Sequence, residues 1–176
     1  MNEDQNQLQQ RILSEIRAFR DGRKTLMMAT LDQNATPNVS YVPFAFLEDS
    51  YYVLVSEMAQ HGQNLQQCKQ VSIMLIDDES ETRQIYARKR VTFDATASEV
   101  PRDSETWQRG IAALRARQGN ILDNLSQLAD FRLFRLIPEK GLYVKGFGQA
   151  FTFTVSGDEL IDFVHLKDGH RKLKAS

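Results

Sequence analysis

The 176-residue chain has one cysteine, three histidines and one tryptophan, and its purely apolar runs span only a few residues. A single Cys68 excludes an intrachain disulfide and a Cys-rich metal cage. Histidines at 61, 165 and 170 are too few for a conventional structural zinc site. With no stretch approaching the roughly 20 apolar residues that cross a bilayer, no membrane-spanning helix is expected. The polar, acidic start MNEDQNQLQQ lacks the apolar centre of a secretory leader. These absences point to a cytoplasmic protein. An excess of charge of either sign is also missing: 22 Lys+Arg stand against 23 Asp+Glu. Neither nucleic acid nor membrane is therefore expected as a partner. Length and composition fit one domain over 1–176 with a sizeable core.

Apolar residues at Leu8, Ile12, Leu13, Ile16 and Phe19 recur at helical spacing and predict an amphipathic helix over about 4–20, ended by Asp21-Gly22. The period then changes. Lys24–Leu31, Pro37–Leu47 and Tyr51–Ser56, separated by short polar turns, predict an antiparallel meander. A helix through Ala59–Lys69 and a buried strand at Val71–Ile76 follow. Strand signals resume over Ile85–Val100, where Val91, Phe93, Ala95 and Ala97 alternate with polar residues. Helices are expected at about 103–117 and 121–128. Strands are then expected at Phe131–Pro138 and Gly141–Thr154, the second bending at Gly146-Phe147-Gly148, before a short apolar stretch Leu160–Val164. Six or seven strands with few helices predict a mainly β fold, a β-barrel with peripheral helices.

The C-terminal tail, about 160–176, departs from the neutral average. Its last twelve residues carry Lys167, Arg171, Lys172 and Lys174 against Asp168, a local charge of +3, with His165 and His170. A solvated basic terminus is the plain account. The sharper one is an anion- or metal-binding arm, and haem fits both demands, since its iron takes an axial nitrogen and its propionates take cations. A second basic cluster, Arg83 and Arg88-Lys89-Arg90, either balances the acidic loop at 77–81 or binds a phosphate or propionate. His61 reads as a cap or packing residue, Cys68 as a buried small residue, and Trp107 as core or subunit interface. Asp130 is a turn residue or a carboxylate partner for an imidazole N–H. Gly146-Phe147-Gly148 lacks the third glycine and following helix of a dinucleotide fingerprint.

Taken in order, Thr25–Leu31, Pro37–Leu47, Tyr51–Ser56, His61-x-x-Asn64-Leu65 with Val71–Leu75, Arg90–Asp94, and Phe131–Pro138 leading to Gly146–Ala150 resemble the pyridoxamine 5′-phosphate oxidase-like, FMN-binding split β-barrel superfamily over nearly the whole chain. The Asp168-Gly-His170-Arg-Lys tail makes the chain most similar to its haem-utilisation branch, the HutZ/HugZ-type haem-degrading proteins. That resemblance implies a homodimer with haem at its interface and His170 as axial iron ligand, with His165 as the substitute. It further implies an Asp130 hydrogen bond to the ligand imidazole, Arg90 on the open side of the haem, and Arg88, Lys89, Arg171 and Lys172 as cofactor-binding cations. Trp107 matches an interface tryptophan. The activity implied is ring opening with dioxygen and electrons from a separate donor or reductase, giving iron and a biliverdin-like product, with a haem-delivery protein as a further partner. FMN is the alternative cofactor, for an oxidoreductase on the same barrel. Where FMN-binding relatives often have Thr-Arg or Thr-Lys after the helix-start histidine, this chain has Gly62-Gln63. A haem-binding or storage protein without turnover is the third reading.

Overall fold

The computed structural model of the chain describes residues 3–157 and 159–166. Helix α1 (Glu3–Asp21) leads into β1 (Thr25–Leu31), β2 (Pro37–Pro43), β3 (Ala45–Leu47) and β4 (Ser50–Ser56). Helix α2 (Gln60–Gln67), β5 (Gln70–Ile76) and β6 (Arg90–Val100) follow, then helices α3 (Glu105–Gln118) and α4 (Ile121–Leu125). The described chain ends in β7 (Phe131–Gly146), β8 (Gln149–Ser156) and β9 (Glu159–Leu166). Every pairing is antiparallel, in the order β2-β1-β5-β6-β7-β4-β3, with β8 added to β7 and β9 to β8. Strands β2 and β3 lie at opposite ends of this order, yet only Phe44 separates them in sequence. That fully buried residue therefore carries the chain from one sheet edge to the other and curls the sheet into an open, split barrel.

Two apolar layers hold the barrel. Ile12, Leu13, Ile16 and Phe19 of α1 join the inward residues of the strands in one cluster, as the helical spacing requires. The second cluster sets Trp107, Leu114 and Leu122 of α3 and α4 against Tyr52 and Leu133. Strand β4 serves both, because successive side chains point to opposite faces: Tyr51, Val53 and Val55 fill the barrel while Tyr52 and Leu54 meet the helices. This is why the run Tyr-Tyr-Val-Leu-Val does not alternate with polar residues. Each such fully buried side chain is worth roughly 1.5–3 kcal/mol over exposure. Gly110 of α3 lets the helix close onto β4 and β7, since a Cβ there would come within 2.8 Å of both Leu133 and Tyr52.

The structure redraws several sequence boundaries. Pro37–Leu47 breaks at Phe44, and Ile85–Val100 opens with a 3-10 turn at Ile85–Ala87 before β6 begins. The expected strands Phe131–Pro138 and Gly141–Thr154 are not two elements bending at 146. Residues 131–146 form the single strand β7, and Phe147-Gly148 is the turn into β8. A bulge explains the error. Asp94 pairs with Lys140 but Ala95 with Pro138, so Glu139 is skipped. Inward side chains are consequently even-numbered before it (Phe134, Leu136) and odd-numbered after it (Tyr143). The stretch Leu160–Val164 is the middle of β9, and the strands among the described residues number nine rather than six or seven.

Candidate functional site

The outward face of the sheet follows from the register. One row runs across seven strands through Tyr41, Met27, Met74, Thr92, Leu142, Thr152 and Val164. Tyr41 is 71% exposed, Val164 51% and Met27 38%. Val39 and Ala29 lie in the neighbouring row, with Val39 65% exposed. That row continues through the polar Ser72, Asp94 and Lys140, so the apolar surface is a band along the first row, interrupted by Thr92 and Thr152. An exposed apolar band of this kind on a sheet suits a binding or subunit surface. The row on the opposite side holds Ile76, Arg90, Val144, Ala150 and Leu166. Arg90 therefore stands at one end of the apolar face. Leu166 is three strands away from it, roughly 14 Å at the usual strand spacing, and there the described chain ends.

The predicted cations have different partners. Arg88 donates through Nε to the Asp77 carbonyl at 2.6 Å and through Nη1 to Glu79 Oε1 at 3.0 Å, so it tethers the acidic loop. The Lys89 ammonium lies 4.7 Å from the centre of the Phe19 ring, at the edge of a cleft of about 620 Å³ also lined by Arg23, Asp77 and Lys145. Arg90 is half-buried and donates from Nη1 to the Arg88 carbonyl at 2.9 Å. His170, Arg171 and Lys172 lie outside the described residues. His165 is in β9, its ring stacked on Phe151 at 4.5 Å between centroids and 23° between planes. Its Nε2 is 3.1 Å from the Gly148 carbonyl, so an Nε2–H tautomer donates there and leaves Nδ1 as the acceptor.

Asp130 sits at the far end of β7 from Arg90, immediately before Phe131. The Ser56 hydroxyl donates to its Oδ2 at 2.6 Å, and the Glu57 N–H donates to its carbonyl at 2.8 Å. Arg102 pins the same loop with Nη1 on the Ser126 carbonyl at 2.6 Å and Nη2 on those of Leu128 and Phe131 at 2.8 and 2.7 Å. Its guanidinium also packs 4.6 Å from the centre of the Trp107 ring. Trp107 is thus buried core within the chain. Cys68 is half-buried and free. Sequence reasoning missed Ser56 and Arg102, because their partners are 74 and up to 29 residues away and no local pattern links them. The outward methionines and Tyr41 do carry a signal, apolar residues on the strand parity that should face solvent.

His61 lies at the start of α2, half-buried, and burial alone pushes its imidazole below the ordinary histidine pKa. A Cβ on the adjacent Gly62 would run into the Ser56 carbonyl. No side chain fits at that position, and the next one, where FMN-binding relatives often carry the Arg or Lys, is Gln63. The first turn of α2, Gln60-His61-Gly62-Gln63, accordingly offers FMN no Lys or Arg. Among the described residues no three His, Cys, Asp or Glu side chains gather around a point that could hold a metal ion. Haem asks for less, because its porphyrin supplies four ligand nitrogens and the chain need add only one. No described helix is long and apolar enough to cross a membrane.

Comparison with known proteins places these features. Residues 12–145 match the pyridoxamine 5′-phosphate oxidase family. The Heme oxygenase HutZ of Vibrio cholerae is 57% identical over 169 residues, covering 96% of this chain and 95% of its own. The crystal structure of HutZ from Vibrio cholerae, there described as a haem storage protein, superposes with a TM-score of 0.72 at 56% identity over 75% of this chain and 93% of that one. The structure of Campylobacter jejuni ChuZ gives 0.80 at 25% identity over 92% of this chain and 66% of that one.

Proposed function

Because this chain belongs to the pyridoxamine 5′-phosphate oxidase family, in the branch that includes the Heme oxygenase HutZ, we propose that it binds haem at the interface of a homodimer and opens the porphyrin. Dioxygen and electrons from a separate donor drive the reaction, which releases iron and a biliverdin-like product. The observation that carries this reading is the outward apolar face that ends at Arg90, on the side where Leu166 hands on to the basic tail. An apolar sheet surface suits both a second copy and a flat apolar ring, and a cation at its margin suits a carboxylate or a polar haem ligand.

Haem supplies the ring that is oxidised and the iron at which dioxygen is activated. The chain supplies the surroundings. His170 would give the nitrogen to the haem iron; His165, expected as its substitute, stacks on buried Phe151 on the barrel side of β9, opposite Val164 and Leu166, and does not face the apolar band. Asp130 accepts a hydrogen bond from the imidazole N–H of that ligand, which fixes its tautomer and strengthens its donation. Arg90 donates on the open face, while Arg171 and Lys172 pair with propionates. Of the other two cations, Arg88 is occupied by Glu79 and Asp77, and Lys89 by Phe19. We place them as supports for Arg90 rather than as direct ligands.

A composite site from two copies accounts for the separation of Arg90 and Asp130. Arg90 pairs with Val144, and Asp130 precedes Phe131, so 13 residues of strand, roughly 43 Å along β7, lie between. Residue 170 is four residues past Leu166, a reach of roughly 14 Å. In a two-fold dimer each site would take Arg90 and His170 from one chain and Asp130 from the other.

The test is absorption spectroscopy on the haem-loaded wild type and His170→Ala, before and after adding a reductant in air. The wild type is expected to show a Soret band that the variant lacks or shifts, followed by verdohaem and biliverdin bands. A Soret band identical in both proteins would sink the ligand assignment. A wild-type band that persists without ring-opened product would favour storage, the role given for HutZ in its crystal structure. Flavin absorption in the purified protein, lost on changing Arg88, Lys89 or Arg90, would favour the FMN oxidoreductase.

A further inference from the structure

We propose that Ser56 is a positioning residue for Asp130, holding Oδ2 so that Oδ1 alone is offered to the imidazole of the haem ligand. The inference rests on the role given to Asp130 above. Ser56 ends β4 and pairs in register with Phe131, which puts its hydroxyl beside the residue that precedes β7. The same Oγ accepts from the Met58 N–H at 3.1 Å. A hydroxyl has one proton, and with its oxygen engaged by Met58 that proton goes to Asp130 Oδ2, 2.6 Å away. A hydroxyl on a carboxylate at this distance is a charge-assisted bond, among the stronger a side chain makes.

Everything else around Asp130 is already anchored. Its carbonyl takes the Glu57 N–H, and Arg102 binds three carbonyls of the segment that carries it. Arg132, a neighbouring cation that could compete for the carboxylate, is held by Glu57 and Glu99, each at 2.7 Å. Oδ1 has no hydrogen-bond partner among the described residues. The terminal torsion of an aspartate is otherwise broad, so without Ser56 the carboxylate would rotate and present either oxygen over a wide angle. A hydrogen bond to an imidazole weakens steeply away from linearity, and a locked carboxylate keeps the ligand's geometry uniform.

Resonance Raman of the ferrous haem complex of the full chain tests this, because the iron–histidine stretch reports the hydrogen bond on the ligand directly. Asp130→Asn is expected to lower the frequency. Ser56→Ala should shift it the same way by a smaller amount with a broader band, and Ser56→Thr, which keeps the hydroxyl, should restore it. Ser56→Cys serves as a volume-matched variant if the alanine form does not fold, with the same expected downshift. An unshifted band in Ser56→Ala or Ser56→Cys, beside a shifted one in Asp130→Asn, overturns the proposal. So does a shift that Ser56→Thr leaves in place, which assigns the effect to packing. If Asp130→Asn itself causes no shift, the role of Asp130 falls first and that of Ser56 with it.

Discussion

If each haem site draws on both copies of the chain, two inactive variants should repair each other. Asp130 immediately precedes β7, whereas Arg90 lies on β6 opposite Val144 near the other end of β7, and the two share no hydrogen-bond partner. The variants are Asp130→Asn and Arg90→Ala. In a heterodimer of the two, one site collects both wild-type side chains and the other collects both replacements. Random assortment of equal amounts makes half of the dimers heterodimers, and half of their sites intact, so activity should return to about one quarter of wild type. A site built within one chain predicts no recovery at all, since every site would carry one defect. The assay is the initial rate of haem loss per chain after the two proteins are unfolded together and refolded, with each variant refolded alone as the baseline. Recovery well below a quarter, with subunit exchange verified by differently tagged chains, would refute the composite site. The measurement is insensitive to whether the product is biliverdin or another ring-opened tetrapyrrole.

Two other outcomes follow from buried polar groups. Tyr52 is fully buried between β4 and α3, and its hydroxyl has no partner among the described residues. Tyr52→Phe keeps the ring and removes an unpaired hydroxyl, so it should raise stability by about 1 kcal/mol, a Tm increase of roughly 2–4 °C for a chain this size; a lower Tm would contradict it. His61 has its pKa lowered by burial, so the unfolded chain takes up its proton first as pH falls. Stability should therefore decline from the unfolded value near 6.5 down towards the folded pKa, and remain unaffected by this group above 6.5. His61→Gln should flatten the Tm profile across that window, and an unchanged slope would count against the assignment.

Much of the fold could be read directly from alternation and helical spacing. The apolar face of α1 and the inward set Val91, Phe93, Ala95 and Ala97 both have local causes. Errors arose where local pattern was overruled at long range. Phe44 interrupts an apparently continuous strand because barrel closure needs the chain to change partners there. The two-layer burial of β4 erased its alternation, yet its β-branched and aromatic run between polar turns still marked the strand expected at Tyr51–Ser56. At the candidate site, Arg88-Lys89-Arg90 stood out as a cluster, yet only the structure separates the tether Arg88 from the outward Arg90 at the edge of the apolar face. Asp130 could be nominated from resemblance, but its link to Ser56 spans 74 residues and leaves no trace in spacing.

The skipped residue in β7 sets how the chain can vary without losing its shape. Glu139 is exposed, and its contact is with the Thr96 hydroxyl on the surface. Its chemistry should be freely exchangeable, and so should its presence. Without it Pro138 and Lys140 would become neighbours, the pairs Ala95–Pro138 and Asp94–Lys140 would follow in an unbroken ladder, and Phe134, Leu136 and Tyr143 would still face the barrel. Losing a residue from the paired stretch on either side would instead shift one half of β7 by a single position and turn its inward side chains out. A library of single deletions would therefore record position 139 as tolerant within a strand whose paired positions are not.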